Sequence, residues 1–94
     1  MPRYVSLINF TEKGIGSFKE TVTRADAAKK AAADMGGSLE VLWTVGQYDL
    51  VAISEFPDDE TATKFLLNVG AQGNIRTQTM RAFDAGEMSR IVSG

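Results

Sequence analysis

The side chains best suited to chemistry lie around one short segment of this 94-residue chain, Gly46-Gln47-Tyr48-Asp49. The Tyr48 hydroxyl could donate a hydrogen bond, and the Asp49 carboxylate could act as a base or anchor a ligand. Trp43 precedes them and could stack on a flat molecule at the mouth of a pocket. The segment also suits a turn, in which glycine frees the backbone and aspartate accepts hydrogen bonds from nearby amides. Trp43 equally suits packing in a core or an interface.

Two further polar positions could contact a small molecule. Asn9 ends a predicted strand and could position a ligand through its amide, although Asn9-Phe10-Thr11 also suits a strand end followed by a helix start. Arg76 and Arg81 lie an odd number of residues apart on the last predicted strand, so they face opposite sides of a sheet. One could meet a partner subunit while the other meets solvent or an anionic ligand. A salt bridge across a subunit interface is the other interpretation.

The residue types that are absent narrow the possible chemistry. The chain contains no cysteine and no histidine. Disulfides, thiolate catalysis and Ser-His triads are therefore excluded, and any proton transfer must use Asp, Glu, Tyr or Lys. The acidic cluster Asp58-Asp59-Glu60 lacks the glycine and the spacing of a calcium loop and fits a helix start better. We expect neither a metal nor a cofactor.

Charge and hydropathy limit the partners. Ten Lys and Arg against twelve Asp and Glu give a net charge of −2, which argues against binding nucleic acid. No apolar run approaches the ~18 residues that cross a bilayer, and no signal-peptide pattern opens the chain. We expect a cytoplasmic protein that binds neither nucleic acid nor membrane, with residues 1–94 forming a single domain.

The elements that must position these residues begin with four predicted strands. Each has the β-branched and aromatic composition, or the alternation of apolar and polar residues, that is typical of a strand. They span Arg3–Phe10, Ser38–Val45, Leu50–Phe56 and Asn74–Phe83. The turn at 46–49 is so short that the strands on either side of it must pair antiparallel.

Two helices are predicted between the strands. Apolar residues at spacings of three and four run from Ile15 to Met35, and Gly36-Gly37 ends this stretch. The stretch forms either one helix or a short helical turn followed by a longer helix from near Thr23. The second helix begins after Pro57 with Asp58 as its N-cap.

Two connecting segments and a C-terminal tail complete this prediction. Residues 11–14 are interpreted as a break after the first strand. Gly14-Ile15-Gly16 is interpreted as a flexible loop, with phosphate binding by its amides as the alternative. Residues 85–92 form a short tail of one or two helical turns.

The order of elements is therefore β-α-β-β-α-β. This order is typical of the ferredoxin-like α+β fold, and right-handed crossovers put both helices on one face of a four-stranded antiparallel sheet. Two helices can cover only that face. The other face should be polar in a monomer, but it also carries apolar residues: Val5, Leu7, Leu42, Val51 and Ile53.

This open sheet face predicts a partner. Its apolar area would exceed the roughly few hundred Å² usual on a monomer, so we expect a homodimer or a higher homo-oligomer that packs sheet against sheet. A concave pocket between helices and sheet is the alternative use of the surplus apolar area.

The segment WTVGQYDLVA, residues 43–52, resembles the signature of the GYD-domain family, which is named for Gly-x-Tyr-Asp. Matching features flank it at Tyr4, at Asn9-Phe10-Thr11 and at 70–77, so the likeness covers nearly the whole chain. The family is similar to the dimeric α+β barrel proteins, which include cofactor-free monooxygenases and small isomerases. The resemblance thus implies this fold and a dimer. Many enzymes of the wider group use histidine, which this chain lacks.

Two functions remain as hypotheses. The first is a homo-oligomeric binding or interaction module that needs no cofactor and accepts a small apolar or anionic molecule. The second is a cofactor-independent monooxygenase or isomerase acting on a small aromatic or carbonyl compound. In either case, the candidate ligand-binding residues are Asn9, Trp43, Tyr48, Asp49 and Arg76.

Overall fold

Four β-strands form one antiparallel sheet in the computed structural model, which describes residues 1–94. The strands are β1 Arg3–Phe10, β2 Ser38–Trp43, β3 Leu50–Glu55 and β4 Ile75–Ala82. They lie in the order β2-β3-β1-β4, and each neighbouring pair is antiparallel. This is the ferredoxin-like arrangement that the sequence predicts.

Four helices connect or follow the strands. They are α1 Glu12–Gly16, α2 Thr21–Asp34, α3 Asp59–Ala71 and α4 Ala85–Ser93, with a single 3₁₀ turn at Phe18–Glu20 between α1 and α2. Asp58 caps α3 as predicted, because its carboxylate accepts a hydrogen bond from the Thr61 N–H at 2.8 Å. Gly36, at φ +79°, ends the segment after α2 in the left-handed conformation that glycine adopts easily. None of the helices combines the length and the apolar character needed to cross a bilayer.

The segment between β1 and α2 differs from its prediction. Residues 11–14 are not a break: the Thr11 hydroxyl accepts the Gly14 N–H at 3.1 Å and so caps α1, which includes the predicted Gly14–Gly16 loop. Of the two alternatives for the following stretch, a short helix and then a longer one is confirmed. The long helix begins at Thr21 rather than near Thr23, because the 3₁₀ turn leads directly into it.

Strand β2 is shorter than predicted. It ends at Trp43 rather than Val45, because the Thr44 N–H donates to the Asp49 carbonyl at 2.9 Å and closes a loop there. Strand β3 ends at Glu55 rather than Phe56, and β4 is one residue shorter at each end than predicted. The C-terminal tail is a complete nine-residue helix, α4, with a capping box formed by Asp84 and Glu87.

The core lies on the side of the sheet that faces α2 and α3. Its centre is Phe56, which is 1% exposed and whose ring centroid lies 5.0 Å from that of Phe65 on α3. Tyr4, Ala32 and Ala62 complete the cluster around these rings. A second buried cluster on the same side of the sheet consists of Ile8, Leu50 and Ala52. Because side chains alternate along a strand, the core positions are the even residues of β1 and β3.

The opposite side of the sheet, here called the open face, has no helix over it. Its apolar residues are Val5, Leu7, Leu42, Val51, Ile53 and Met80. The two at the margins stand furthest in solvent, with Leu42 50% exposed and Met80 48% exposed. The predicted contrast between one covered and one uncovered apolar face is therefore present in the structure.

Candidate functional site

The side chain of Asp49 completes the hydrogen bonding between β1 and β3. One carboxylate oxygen, Oδ2, accepts the N–H of Phe10 at 2.9 Å, and the Asp49 N–H donates to the Ile8 carbonyl at 2.9 Å. The chain turns away just before β3 begins, so no backbone carbonyl is placed to receive the Phe10 N–H. The carboxylate takes the position of that missing acceptor.

The loop between β2 and β3 is closed by its own residues. The Thr44 hydroxyl donates to the Tyr48 carbonyl at 2.6 Å, next to the bond between Thr44 N–H and Asp49 carbonyl. Gly46 has φ +139°, a backbone conformation that side-chain-bearing residues rarely adopt. Gly46 thus has the role that the turn interpretation assigns to it, whereas the Asp49 carboxylate accepts from Phe10 of β1 rather than from an amide of the turn.

A third segment meets this loop at the same end of the sheet. The Thr11 N–H donates to the Asn74 carbonyl at 3.0 Å, and the Thr11 hydroxyl donates to the Gly73 carbonyl at 2.6 Å. Lys13 Nζ donates to the Gln72 carbonyl at 2.9 Å. The loop with Asp49, the end of β1 and the turn before β4 are therefore tied together.

Three of the predicted site residues lie at this end of the open face. Asn9 is paired with Arg76 in the β1–β4 register, and both are at open-face positions. The Tyr48 hydroxyl donates to the Gln78 Oε1 at 3.2 Å, and Gln78 is also at an open-face position of β4. Tyr48 is half-buried and Arg76 is exposed. The result is a polar margin beside the apolar open face.

Trp43 lies on the other side of the sheet. It is paired with Leu50, a core residue, and its indole Nε1–H donates to the Thr21 hydroxyl at the start of α2 at 2.9 Å. The structure therefore does not bring Trp43 beside Tyr48 and Asp49 at one pocket mouth. The five predicted residues divide into an open-face group, a helix-side tryptophan and a backbone-bonded aspartate.

An apolar cavity lies between the helix side of the sheet and the helices α2 and α3. It has a volume of about 170 Å³, and none of the five predicted site residues lines it. Its cause is the composition of α2, which turns Ala25, Ala28 and Ala31 toward the space. Methyl groups are too short to fill the gap to α3 and the sheet, so a space remains that a leucine or phenylalanine would occupy.

The cavity wall is mainly apolar with a few hydroxyl groups. Ser54 on β3 is 6% exposed and lines the cavity, and its hydroxyl forms no hydrogen bond to another residue of the chain. Ser6 lines it too, but its hydroxyl is bonded to that of Thr79 at 2.8 Å. Sequence reasoning missed both serines. The available signal was a serine at a helix-facing position in each of two otherwise apolar strands.

Arg24 is the one ionisable residue of the cavity wall. Its guanidinium donates to the Ser17 carbonyl at 3.1 Å and the Gly14 carbonyl at 3.2 Å, so it satisfies carbonyls at the end of α1. A guanidinium stays protonated at all ordinary pH values. The cavity wall therefore contains no carboxylate or other group that could act as a base.

A second polar cluster joins the start of α3 to the sheet. The Tyr4 hydroxyl donates to Asp59, and the Arg81 guanidinium carbon lies 5.8 Å from the centroid of the Tyr4 ring. Burial, followed by the hydrogen bond to Asp59, raises the pKa of Tyr4 to about 12. Arg81 also pairs with Glu87 of α4 at 4.0 Å. Because the Tyr4 proton is held so firmly, this cluster is suited to stabilising the fold rather than to transferring protons.

No cluster of three or more acidic side chains is arranged so that it could hold a metal ion. The candidate features are thus the apolar cavity, the open face and its polar margin.

Comparison with known proteins gives a consistent result. The model of the GYD domain matches residues 4–92. The crystal structure of TTHA0845 from Thermus thermophilus is similar at a TM-score of 0.59 and 26% identity, covering 90% of this chain and 96% of that one. No curated protein matches significantly.

Two more solved structures share the fold at lower identity. At3g17210 from Arabidopsis thaliana has a TM-score of 0.60 and 11% identity, covering 90% of this chain and 96% of that one. TA0507, which carries a provisional chlorite dismutase name, has a TM-score of 0.60 and 16% identity, and the match covers 98% of this chain but 48% of that one.

Proposed function

The chain belongs to the GYD-domain family, and we propose that it is a homo-oligomeric module that binds a small, mainly apolar molecule. Residues 1–94 act as one domain in this proposal. The observation that carries it is the cavity of about 170 Å³ between α2, α3 and the sheet. Apolar cavities of roughly 150 Å³ are known to admit a molecule of the size of benzene.

The hydroxyl of Ser54 refines the ligand class. It lines the cavity and forms no hydrogen bond within the chain, so it could pair with one hydrogen-bonding group of a ligand. The best match is therefore a monocyclic compound with a single hydroxyl or carbonyl group, such as a phenol. A charged ligand fits less well, because the one cation in the wall, Arg24, already bonds to backbone carbonyls.

The open face supports the homo-oligomeric part of the proposal. Its six apolar residues lie on the side of the sheet that α2 and α3 leave uncovered. A second copy that packs sheet against sheet would remove them from water. In such a dimer Asn9, Tyr48 and Arg76 would lie at the margin of the interface, where they would contact the partner or a ligand bound between the subunits.

The alternative, a cofactor-independent monooxygenase or isomerase, needs a group that removes or delivers a proton. The cavity wall offers no such group, and one carboxylate oxygen of Asp49 already accepts a hydrogen bond from the Phe10 N–H. These observations favour binding over catalysis.

The test is to fill the cavity from α2. Ala28→Phe places a ring in the space, whereas Ala33→Phe adds the same ring at an exposed position of the same helix that does not line the cavity. Phenol and benzene are the probes, and their binding is measured by calorimetry or ligand-observed NMR. We expect the wild type and Ala33→Phe to bind phenol with a Kd of roughly 0.1–1 mM, and Ala28→Phe to lose binding.

Ser54→Ala separates the role of the hydroxyl from that of the cavity. We expect it to weaken phenol binding about 3–10-fold and to leave benzene binding unchanged, since one hydrogen bond contributes ~1 kcal/mol. If the wild type binds neither probe, or if Ala28→Phe binds both as well as the wild type does, the cavity is not the binding site.

A further inference from the structure

The C-terminal helix α4 is amphipathic but has almost no neighbours within its own chain. It makes no substantial packing with any strand or helix, and the molecule is elongated, with extents of 49 × 30 × 17 Å. One side of α4 carries Met88, Ile91 and Val92, which are 44%, 55% and 75% exposed. Spacings of three and four put these side chains on one stripe.

A helix of this length is only marginally stable in water unless it packs against another surface. Isolated helices shorter than ~12–15 residues are marginal in water, and α4 has nine residues. Its capping box and the ion pair of Glu87 with Arg81 define where it starts but bury no apolar surface. Packing of the stripe against a partner would supply the stabilising contact that this chain does not.

The dimensions of the open face indicate which partner supplies that contact. Four strands of about six to eight residues make a face of roughly 19 × 22 Å, or ~400 Å². A stable interface needs about 800 Å² from each partner. In a two-fold dimer, the α4 of each protomer would bury a strip of its own surface of roughly 13 × 10 Å against the partner. An equal strip of each protomer would be buried beneath the partner's α4. These outlines are flat and understate the accessible area, but by the same measure the two strips enlarge the small sheet face by more than half.

We propose that α4 is a dimerisation arm, whose Met88–Ile91–Val92 stripe packs on a second copy of this chain next to the open face. The inference rests on the proposed sheet-to-sheet dimer and adds to it the element that completes the interface. The contact is self-complementary, because each copy offers its own α4 stripe to the other beside the paired sheet faces.

The equilibrium test uses two charge substitutions on α4. Ile91→Glu places a carboxylate in the stripe, and Ser93→Glu places one on the polar side of the same helical turn. Sedimentation of the full chain over a range of concentrations gives the dimer dissociation constant of each. We expect Ile91→Glu to raise this constant roughly 10-fold or more and Ser93→Glu to leave it within about 2-fold of wild type. Circular dichroism and urea unfolding check that both variants fold.

The proximity test is a photo-crosslink that does not depend on where the arm lands. Ile91→p-benzoylphenylalanine should yield a covalent dimer on irradiation, mapped by mass spectrometry to residues of the other copy, while the same probe at Ser93 should yield little. A wild-type dimer that Ile91→Glu leaves unchanged, or a probe at 91 that labels only its own chain, overturns the role of α4 and leaves the sheet-face dimer in place. A wild type that stays monomeric overturns both, whether or not phenol binds.

Discussion

The backbone N–H of Phe10 and the carboxylate of Asp49 are joined by a hydrogen bond of 2.9 Å between segments 39 residues apart in the chain. The bond extends the β1–β3 ladder by one position with a side chain in place of a backbone acceptor. The Asp49 carboxylate, which is the group of the family signature best suited to chemistry, is therefore also a structural component of the sheet.

Substitution of Asp49 tests how much of its role is structural. Asp49→Ala leaves the half-buried Phe10 N–H without an acceptor, and we expect the free energy of unfolding to fall by about 1–3 kcal/mol. Asp49→Asn keeps an oxygen acceptor but loses the charge, so the loss should be smaller, ~1 kcal/mol. Urea unfolding measures both. Gln47→Ala, in the exposed part of the same loop, is the control and should change stability little.

The same variants examine Asp49 as a ligand contact. Asp49→Asn that loses phenol binding while it keeps most of its stability would assign the carboxylate a role at the ligand. If the variants lose phenol binding only to the extent that they lose stability, the Asp49 carboxylate acts only as an acceptor for the backbone.

The two glycines of α1 differ sharply in their surroundings. A Cβ on Gly14 would lie 1.9 Å from the Asn74 carbonyl oxygen, whereas a Cβ on Gly16 would meet nothing within 4 Å. We expect Gly14→Ala to destabilise the chain by more than ~3 kcal/mol, because backbone must move, and Gly16→Ala to change stability by less than ~1 kcal/mol. Thermal unfolding of the two variants compares them directly. Equal effects would contradict the close packing of α1 against the turn before β4.

The pattern of the strands could be predicted from the sequence because each strand carries its own alternation. In β2, for example, Leu39 and Val41 alternate with Ser38 and Glu40. Leu42 is the exception to this alternation, and it stands 50% exposed on the open face. The β-α-β-β-α-β order then followed from connection lengths and handedness. A helix start at Thr11 could be predicted, and Thr11 caps α1 through the Gly14 N–H. The bonds that hold Thr11 to Gly73 and Asn74 could not, because those residues are distant in the chain.

The cavity lay beyond sequence reasoning for a different reason. The alanines of α2 indicate a good helix former, but the space they leave depends on how far α3 lies from them. In the same way, Tyr4 and Asp59 are 55 residues apart, and only the fold brings them together. Tyr48 and Trp43 are close in sequence, yet the sheet separates them.

The Tyr4–Asp59 contact predicts a loss of stability at alkaline pH. The pKa of Tyr4 is raised from 10.0 to about 12, so between these values the folded chain keeps a proton that the unfolded chain releases. The stabilising contribution is complete below about pH 10 and is lost as the pH rises through about 12. Melting temperatures measured from pH 8 to pH 11 should fall less steeply in Tyr4→Phe than in the wild type.

Tyr48→Phe is the matched control for this pH dependence, since it removes the other tyrosine of the chain. Because it leaves the Tyr4–Asp59 contact in place, it should keep the steep fall that Tyr4→Phe loses. An identical slope in the wild type and in Tyr4→Phe would show that the Tyr4 proton does not couple to folding.

The open face predicts a dimer that one charge can weaken. Leu42 is 50% exposed on the open face, and Leu67 is 68% exposed on α3, on the opposite side of the sheet. Because both are exposed in the single chain, glutamate at either position leaves the fold intact, and unfolding measured by circular dichroism should confirm this. Leu42→Glu buries a charge against the partner, and we expect the dimer dissociation constant to rise at least ~10-fold, while Leu67→Glu leaves it unchanged. If sedimentation shows that Leu67→Glu dissociates the dimer while Leu42→Glu remains dimeric, the interface lies on the helix side of the sheet instead.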